Sequence, residues 1–289
     1  MRHLFARICV ALSVFTVAPA MAAGSASATI SGFSVRLIDL NPTDGITPSI
    51  SFEPGSFFVD EEGLSGFVSS YIEGSFGSFD DFSSSLTFSP ISSSLSQAGA
   101  TASAAISGNE TLPGTTLSAA ATTSDLVAGA SSRQIYASGN SDLSSIFKLS
   151  GNTLAVFSVR ASASLSGAGG YVQGPSGQYF GDQGSAEADI YVSGPGALNS
   201  EGGYQESSDE FEFFNFNNGE GALPFDFSGT EELSATFLNL TGGTLSGELE
   251  FDASAYVSTS TAPVPEPGTY ALLLAGLGMM GFVASRRRS

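Results

Sequence analysis

The chain has 289 residues and is strongly acidic, with 28 Asp and Glu against 9 Lys and Arg and a formal net charge of −19. Cys9 and His3, the only residues of their types, lie in an N-terminal segment that reads as removable, so the mature body has neither. That excludes Ser-His-Asp triads, thiol nucleophiles, His- or Cys-ligated metals, iron–sulfur clusters and disulfide frameworks.

Residues 1–23 read as a secretory signal. Arg2 and Arg7 form the positive start, Ile8 to Val17 the apolar stretch, and Ala20-Met21-Ala22 the small-x-small cleavage pattern, so the mature chain is expected to begin near Ala23. Ten apolar residues of helix cover about 15 Å of a roughly 30 Å hydrocarbon core, which is too short for a retained anchor. Without its two ends the chain keeps four cations (Arg36, Arg133, Lys148 and Arg160) and 27 carboxylates, a net of −23. A body of that charge repels nucleic acid and anionic lipid.

Residues 24–258 are expected to form an all-β, antiparallel sandwich of jelly-roll type. No stretch keeps a helical period, and period-two alternation is frequent. Ala155 to Ser166 puts Ala155, Phe157, Val159, Ala161, Ala163 and Leu165 on one face and polar residues on the other. Leu245 to Val257 alternates the same way, with Leu245, Gly247, Leu249, Phe251, Ala253, Ala255 and Val257 on the apolar side. Turns are predicted at Ser138-Gly139-Asn140, Gly174-Pro175-Ser176-Gly177 and Asn218-Gly219. A hairpin is predicted at Thr241-Gly242-Gly243, joining Leu233–Leu240 to the Leu245 strand. Tyr171-Val172-Gln173-Gly174-Pro175 recurs as Tyr191-Val192-Ser193-Gly194-Pro195, which reads as two similar hairpin entries. With 23 Phe and no Trp, Phe supplies much of the core, and the many small residues let sheets approach closely. Residues 83–132 read as small-core strands or an insertion. Residues 259–264 read as a linker.

The acidic clusters are the first candidates for chemistry in the body. Asp60-Glu61-Glu62 and Asp80-Asp81 sit between apolar runs. Asp209, Glu210, Glu212 and Glu220 are weak calcium candidates, since carboxylates are the hard oxygen donors calcium prefers. None matches the twelve-residue calcium loop, and the plainer reading is solvated strand and loop acids; no cofactor is otherwise expected. Carboxylate pairs also serve glycoside hydrolysis, but among so many acids no pair stands out, so no catalytic residue is named. An ice-binding face needs Thr at a regular spacing, and Thr115-Thr116, Thr122-Thr123 and Thr259-Ser260-Thr261 have none. Asn109-Glu110-Thr111 and Asn239-Leu240-Thr241 fit a glycosylation sequon.

Residues 265–289 are the most specific part of the chain. Val264-Pro265-Glu266-Pro267 precedes the uncharged run Tyr270 to Ala284, which ends in Arg286, Arg287 and Arg288. Fifteen apolar residues are short for a single transmembrane helix, though snorkelling flanks extend them, and the arginines hold that end in the cytoplasm. Pro265 and Pro267 keep Glu266 in an extended, accessible segment. This order of parts resembles the PEP-CTERM sorting signal of Gram-negative bacteria. The resemblance implies a membrane-embedded transpeptidase, the exosortase, as partner. It also implies transient residence in the inner membrane, processing near the motif, and a final place at the cell surface or outside it. It further implies an association with exopolysaccharide and biofilm, and in some cases an ice-binding body. The resulting expectation is an exported, non-catalytic surface or matrix protein. The rival readings are a carbohydrate-binding adhesion module, with or without calcium, then an ice-binding protein or a glycoside hydrolase.

Overall fold

The computed structural model describes residues 23–55, 66–74, 76–108, 111–124, 133–169, 172–173, 179–195, 203–216 and 224–261. In the tail it describes residues 276, 277, 279, 280 and 286. In chain order the strands are β1 (Gly24–Asp39), β2 (Ile50–Pro54), β3 (Gly66–Gly74), β4 (Gly77–Ser85), β5 (Ile91–Gln97), β6 (Ala100–Ser107), β7 (Thr116–Thr123) and β8 (Arg133–Leu149). They continue as β9 (Thr153–Gly167), β10 (Val172–Gln173), β11 (Tyr179–Phe180), β12 (Asp182–Pro195), β13 (Tyr204–Asn215), β14 (Phe225–Asn239) and β15 (Leu245–Thr261).

Two antiparallel sheets pack face to face. Sheet A runs β14-β9-β1-β7-β6-β5, and sheet B runs β13-β12-β15-β8-β3-β4. β2 also pairs with β8, beyond the end of β3. The architecture is the expected sandwich, but its sheets of six and seven strands exceed the eight strands of a jelly roll. Alternation decides which face is inside. In β9 and β15 the apolar positions predicted to share a face are the buried ones, apart from Leu245 at the end of β15, which is half-buried.

The core has two halves of different thickness. At one end Phe147 meets Phe237 (4.9 Å between centroids) and Phe157 (5.1 Å), and Phe33 meets Phe251 (5.5 Å). At the other end alanines fill the space, among them Ala26, Ala102, Ala121, Ala137, Ala163 and Ala255. Here backbones nearly touch. A Cβ on Gly139 would run into the Ser103 carbonyl oxygen of the opposite sheet. This overturns the turn predicted at Ser138-Gly139-Asn140. Those residues lie inside β8, and Gly139 answers to close sheet approach rather than chain reversal.

The predicted hairpin at Thr241-Gly242-Gly243 is also corrected. β14 belongs to sheet A and β15 to sheet B, so the connection crosses the sandwich. Each strand has one apolar face to bury, and the two faces meet each other instead of the strands pairing edge to edge. Asn239 holds this crossing. Its fully buried amide points its NH2 at the carbonyls of Leu149, Ser150 and Gly243, and its carbonyl accepts from the Thr241 N–H and hydroxyl. That side chain is therefore unavailable as a glycosylation acceptor. The hairpin predicted around Gly174-Pro175 does form, with Val172 opposite Phe180. Within the stretch 83–132, β5, β6 and β7 are ordinary strands of sheet A built on small residues. β15 continues through Thr261, past the predicted body boundary at 258, because Thr259 is buried and hydrogen-bonded.

Both open sides of the sandwich are laced by side chains reaching an edge backbone. On one side Gln205 Oε1, Ser207 Oγ and Asp209 Oδ2 of β13 accept from the N–H groups of Leu238, Thr236 and Ser234 of β14, at 2.9–3.0 Å. On the other side Asp81 of β4 accepts from Ser93 and Ser94 of β5. Edge strands left bare are templates for aggregation, and these contacts cover them.

Candidate functional site on the outer face of sheet B

Strand register aligns acids that lie far apart in sequence. Asp142 of β8 is directly opposite Asp252 of β15, Asp252 is opposite Asp189 of β12, and Asp189 is opposite Glu210 of β13. Four carboxylates thus form one row across four strands spaced by about 4.8 Å. Glu187 and Glu212 oppose each other one row away, and Glu250 and Glu248 follow on the other side along β15. Like charges directly opposed destabilise a sheet, so the face costs stability.

The electrostatics follow from that crowding. Burial, then the charges of neighbouring acids, pushes the carboxyl of Asp252 up to about 8 and that of Asp189 up to about 7. Burial first and Glu248 next push Glu250 up to about 7. Asp142 is pushed up to about 6 by burial, with Glu248 adding to the rise and a Ser144 hydrogen bond opposing it. Glu187 is raised by burial and by Glu212 and Glu210. The Lys148 ammonium on this face is bound to Glu53 at 2.7 Å, at the exposed rim.

Aromatic rings adjoin the acids on the same face. Tyr256 lies 6.2 Å from Tyr136 and 6.4 Å from Phe216, which is in turn 6.4 Å from Phe214, centroid to centroid. Tyr71 and Phe214 lie in the same cross-strand row as Tyr256. Phe214 and Phe216 are both exposed. The result is a flat surface with an acidic half and an aromatic half. A concavity lies elsewhere. It is an open groove of about 450 Å³ on sheet A at the β1 bulge, lined by Gly32, Ser34, Ser158, Arg160, Glu231 and Glu232.

The structure separates the predicted calcium candidates. Glu210 and Glu212 point outward from β13, whereas Asp209 points the other way and serves the β14 edge. Glu220, Asp60, Glu61 and Glu62 lie outside the described residues, as do Ala20 and Ala22, Val264 to Pro267, Arg287 and Arg288. Ala23 immediately precedes β1. Of the tail, Gly276, Leu277, Met279, Met280 and Arg286 are in helical conformation, and no helix among the described residues is long and apolar enough to cross a membrane. The sequence reading did not single out Asp142, Asp189 and Asp252 as a group. Their alternation with small residues was visible, but the register that lines them up was not.

Comparison with known proteins finds the PEP-CTERM protein-sorting motif at residues 263–288. No curated protein and no solved structure matches the chain. The motif implies recognition by an exosortase and sorting to the cell surface.

Proposed function

We propose that this is a non-catalytic surface protein that is exported by its N-terminal signal, held briefly in the inner membrane by its C-terminal helix, and processed near Pro265-Glu266-Pro267. It is then delivered to the cell surface or the extracellular matrix. The observation that carries this reading is the sorting motif at 263–288. Substituting Pro265, Glu266 and Pro267 together by alanine is expected to leave most of the protein in the membrane fraction. Intact mass distinguishes the forms, since the processed protein lacks Arg286 to Arg288. Secretion of a full-length chain that retains those arginines would contradict the proposal.

The surface it presents is read as a polysaccharide-binding face. The outer side of sheet B supports this: exposed rings stack on the C–H faces of sugars, and adjacent carboxylates accept from sugar hydroxyls. A flat face suits a long polymer, and a deep cleft would suit hydrolysis better. Replacing Phe214 and Tyr256 together by alanine is expected to weaken retention on the producing strain's own exopolysaccharide about tenfold. Losing two stacking platforms of about 0.7 kcal/mol each accounts for that scale. Unchanged retention, with an unchanged melting temperature, would remove the aromatic face from consideration.

A further inference from the structure

Glu248 does not fit the pattern of a solvated strand acid. Its position on β15 alternates outward with Glu250 and Asp252, yet it is fully buried and neither carboxylate oxygen has a hydrogen-bond partner. The residue directly opposite it on β12 is Ser193, also fully buried, with a hydroxyl that has no partner either. On its other side, β8 presents Ile146, which offers nothing polar. Three buried oxygens from two adjacent strands are thus left without donors. A buried carboxylate without a partner costs several kcal/mol, so this arrangement needs a cationic or protic occupant.

We propose that Glu248, Glu250 and Ser193 form a divalent-cation site, with calcium as the fitting ion. Glu250 is the next outward residue along the strand, two positions from Glu248 on the same face. Asp142 senses the Glu248 charge from β8 and extends the anionic surroundings. The donors are all hard oxygens, which calcium takes in sets of six to eight completed by water. Among the described residues no three His, Cys, Asp or Glu side chains converge as a ready-made cage. The site therefore uses two carboxylates and a hydroxyl, a sparse set that places it with extracellular modules of 10⁻⁴–10⁻³ M affinity. Of the nearby charged groups on this face, Lys148 is occupied by Glu53, while Asp189, Glu206 and Glu210 are further carboxyl groups. The proposal does not depend on polysaccharide binding.

The test is thermal melting of the full-length chain in detergent, in chelator and in 10 mM calcium chloride. A control of sodium chloride matches the ionic strength. Calcium is expected to raise the midpoint by about 3–8 °C beyond the sodium control. Glu248→Gln is expected to abolish that rise and to melt higher than the parent in chelator, because it removes the uncompensated charge. Glu206→Gln, exposed on β13 in the same cross-strand row, is expected to keep the rise. An equal rise in sodium, or an undiminished calcium rise in Glu248→Gln, would overturn the site. If Glu248→Gln does not fold, calorimetric titration of Glu250→Gln with calcium chloride decides instead. Loss of saturable heat supports the site, and retention of the parent's isotherm refutes it.

Discussion

Replacing Asp182 by alanine is expected to destabilise the sandwich by about 3–5 kcal/mol, read as a fall in the urea midpoint. Asp182 is fully buried at the end of the sandwich where both sheets meet. Its carboxylate accepts from the Ala168 N–H at 2.8 Å and from the Thr259 hydroxyl at 2.9 Å. Thr259 in turn contacts Thr123 at 2.5 Å, and Thr123 Oγ1 accepts from the Gly24 N–H. Gly24 and Thr123 belong to sheet A, and Asp182 and Thr259 to sheet B, so one polar chain ties the layers together where the alanine-lined core buries little area. Alanine at 182 would leave the Ala168 N–H with only its longer 3.3 Å bond to the Ala23 carbonyl and the Thr259 hydroxyl with only Thr123, so two bonds to a buried carboxylate are lost at once. Asp182→Asn keeps the shape and one acceptor, and is expected to lose about half as much. Asp209→Ala, at an exposed edge, should cost only about 1 kcal/mol. Equal losses for Asp182→Ala and Asp209→Ala would show that the buried chain does not tie the sheets.

The contrast between these two aspartates shows what the sequence can reveal. Fold class was legible because β9 and β15 alternate without interruption, and a one-face pattern of that length admits only a half-buried strand. Register was not legible, and it decides the use of every acid. Asp209 belongs to the most conspicuous acidic run, yet it caps the β14 backbone. Asp142 stands alone between serine and leucine, yet it falls in line with Asp252 and Asp189 once β8, β15 and β12 pair. Gly139 misled for a related reason. Flanked by Ser and Asn it resembles a turn, but the need it meets is the approach of Ser103 and Ala120 from the opposite sheet. Local composition reports backbone freedom, and only tertiary contact says what that freedom is for.

Lowering the pH from 8 to 5, with chelator present, is expected to stabilise the protein, opposite to the usual behaviour of ion-paired carboxylates. In the folded chain Asp142 titrates near 6, Asp189 and Glu250 near 7 and Asp252 near 8, each displaced mainly by burial and then by its neighbours. In the unfolded chain the same groups titrate near 3.9–4.3. Between about pH 4 and pH 8 the folded state therefore binds more protons, and stability falls as pH rises through that window. The destabilisation is complete above about 8 and relieved below about 4. One group displaced by two units is worth about 2.7 kcal/mol. The four share a single field and do not add independently, so a total of about 3–6 kcal/mol is expected between pH 5 and pH 8. Asp252→Asn, at the centre of the row, should raise the melting point at pH 8 and flatten the dependence, while leaving the value at pH 5 nearly unchanged. A midpoint that is constant or rises from pH 5 to pH 8 would show that these carboxylates are solvated and independent. A stability cost carried at neutral pH by a row of Asp142, Asp252, Asp189 and Glu210, with no Lys or Arg among them, is what a surface selected for binding rather than for packing would show.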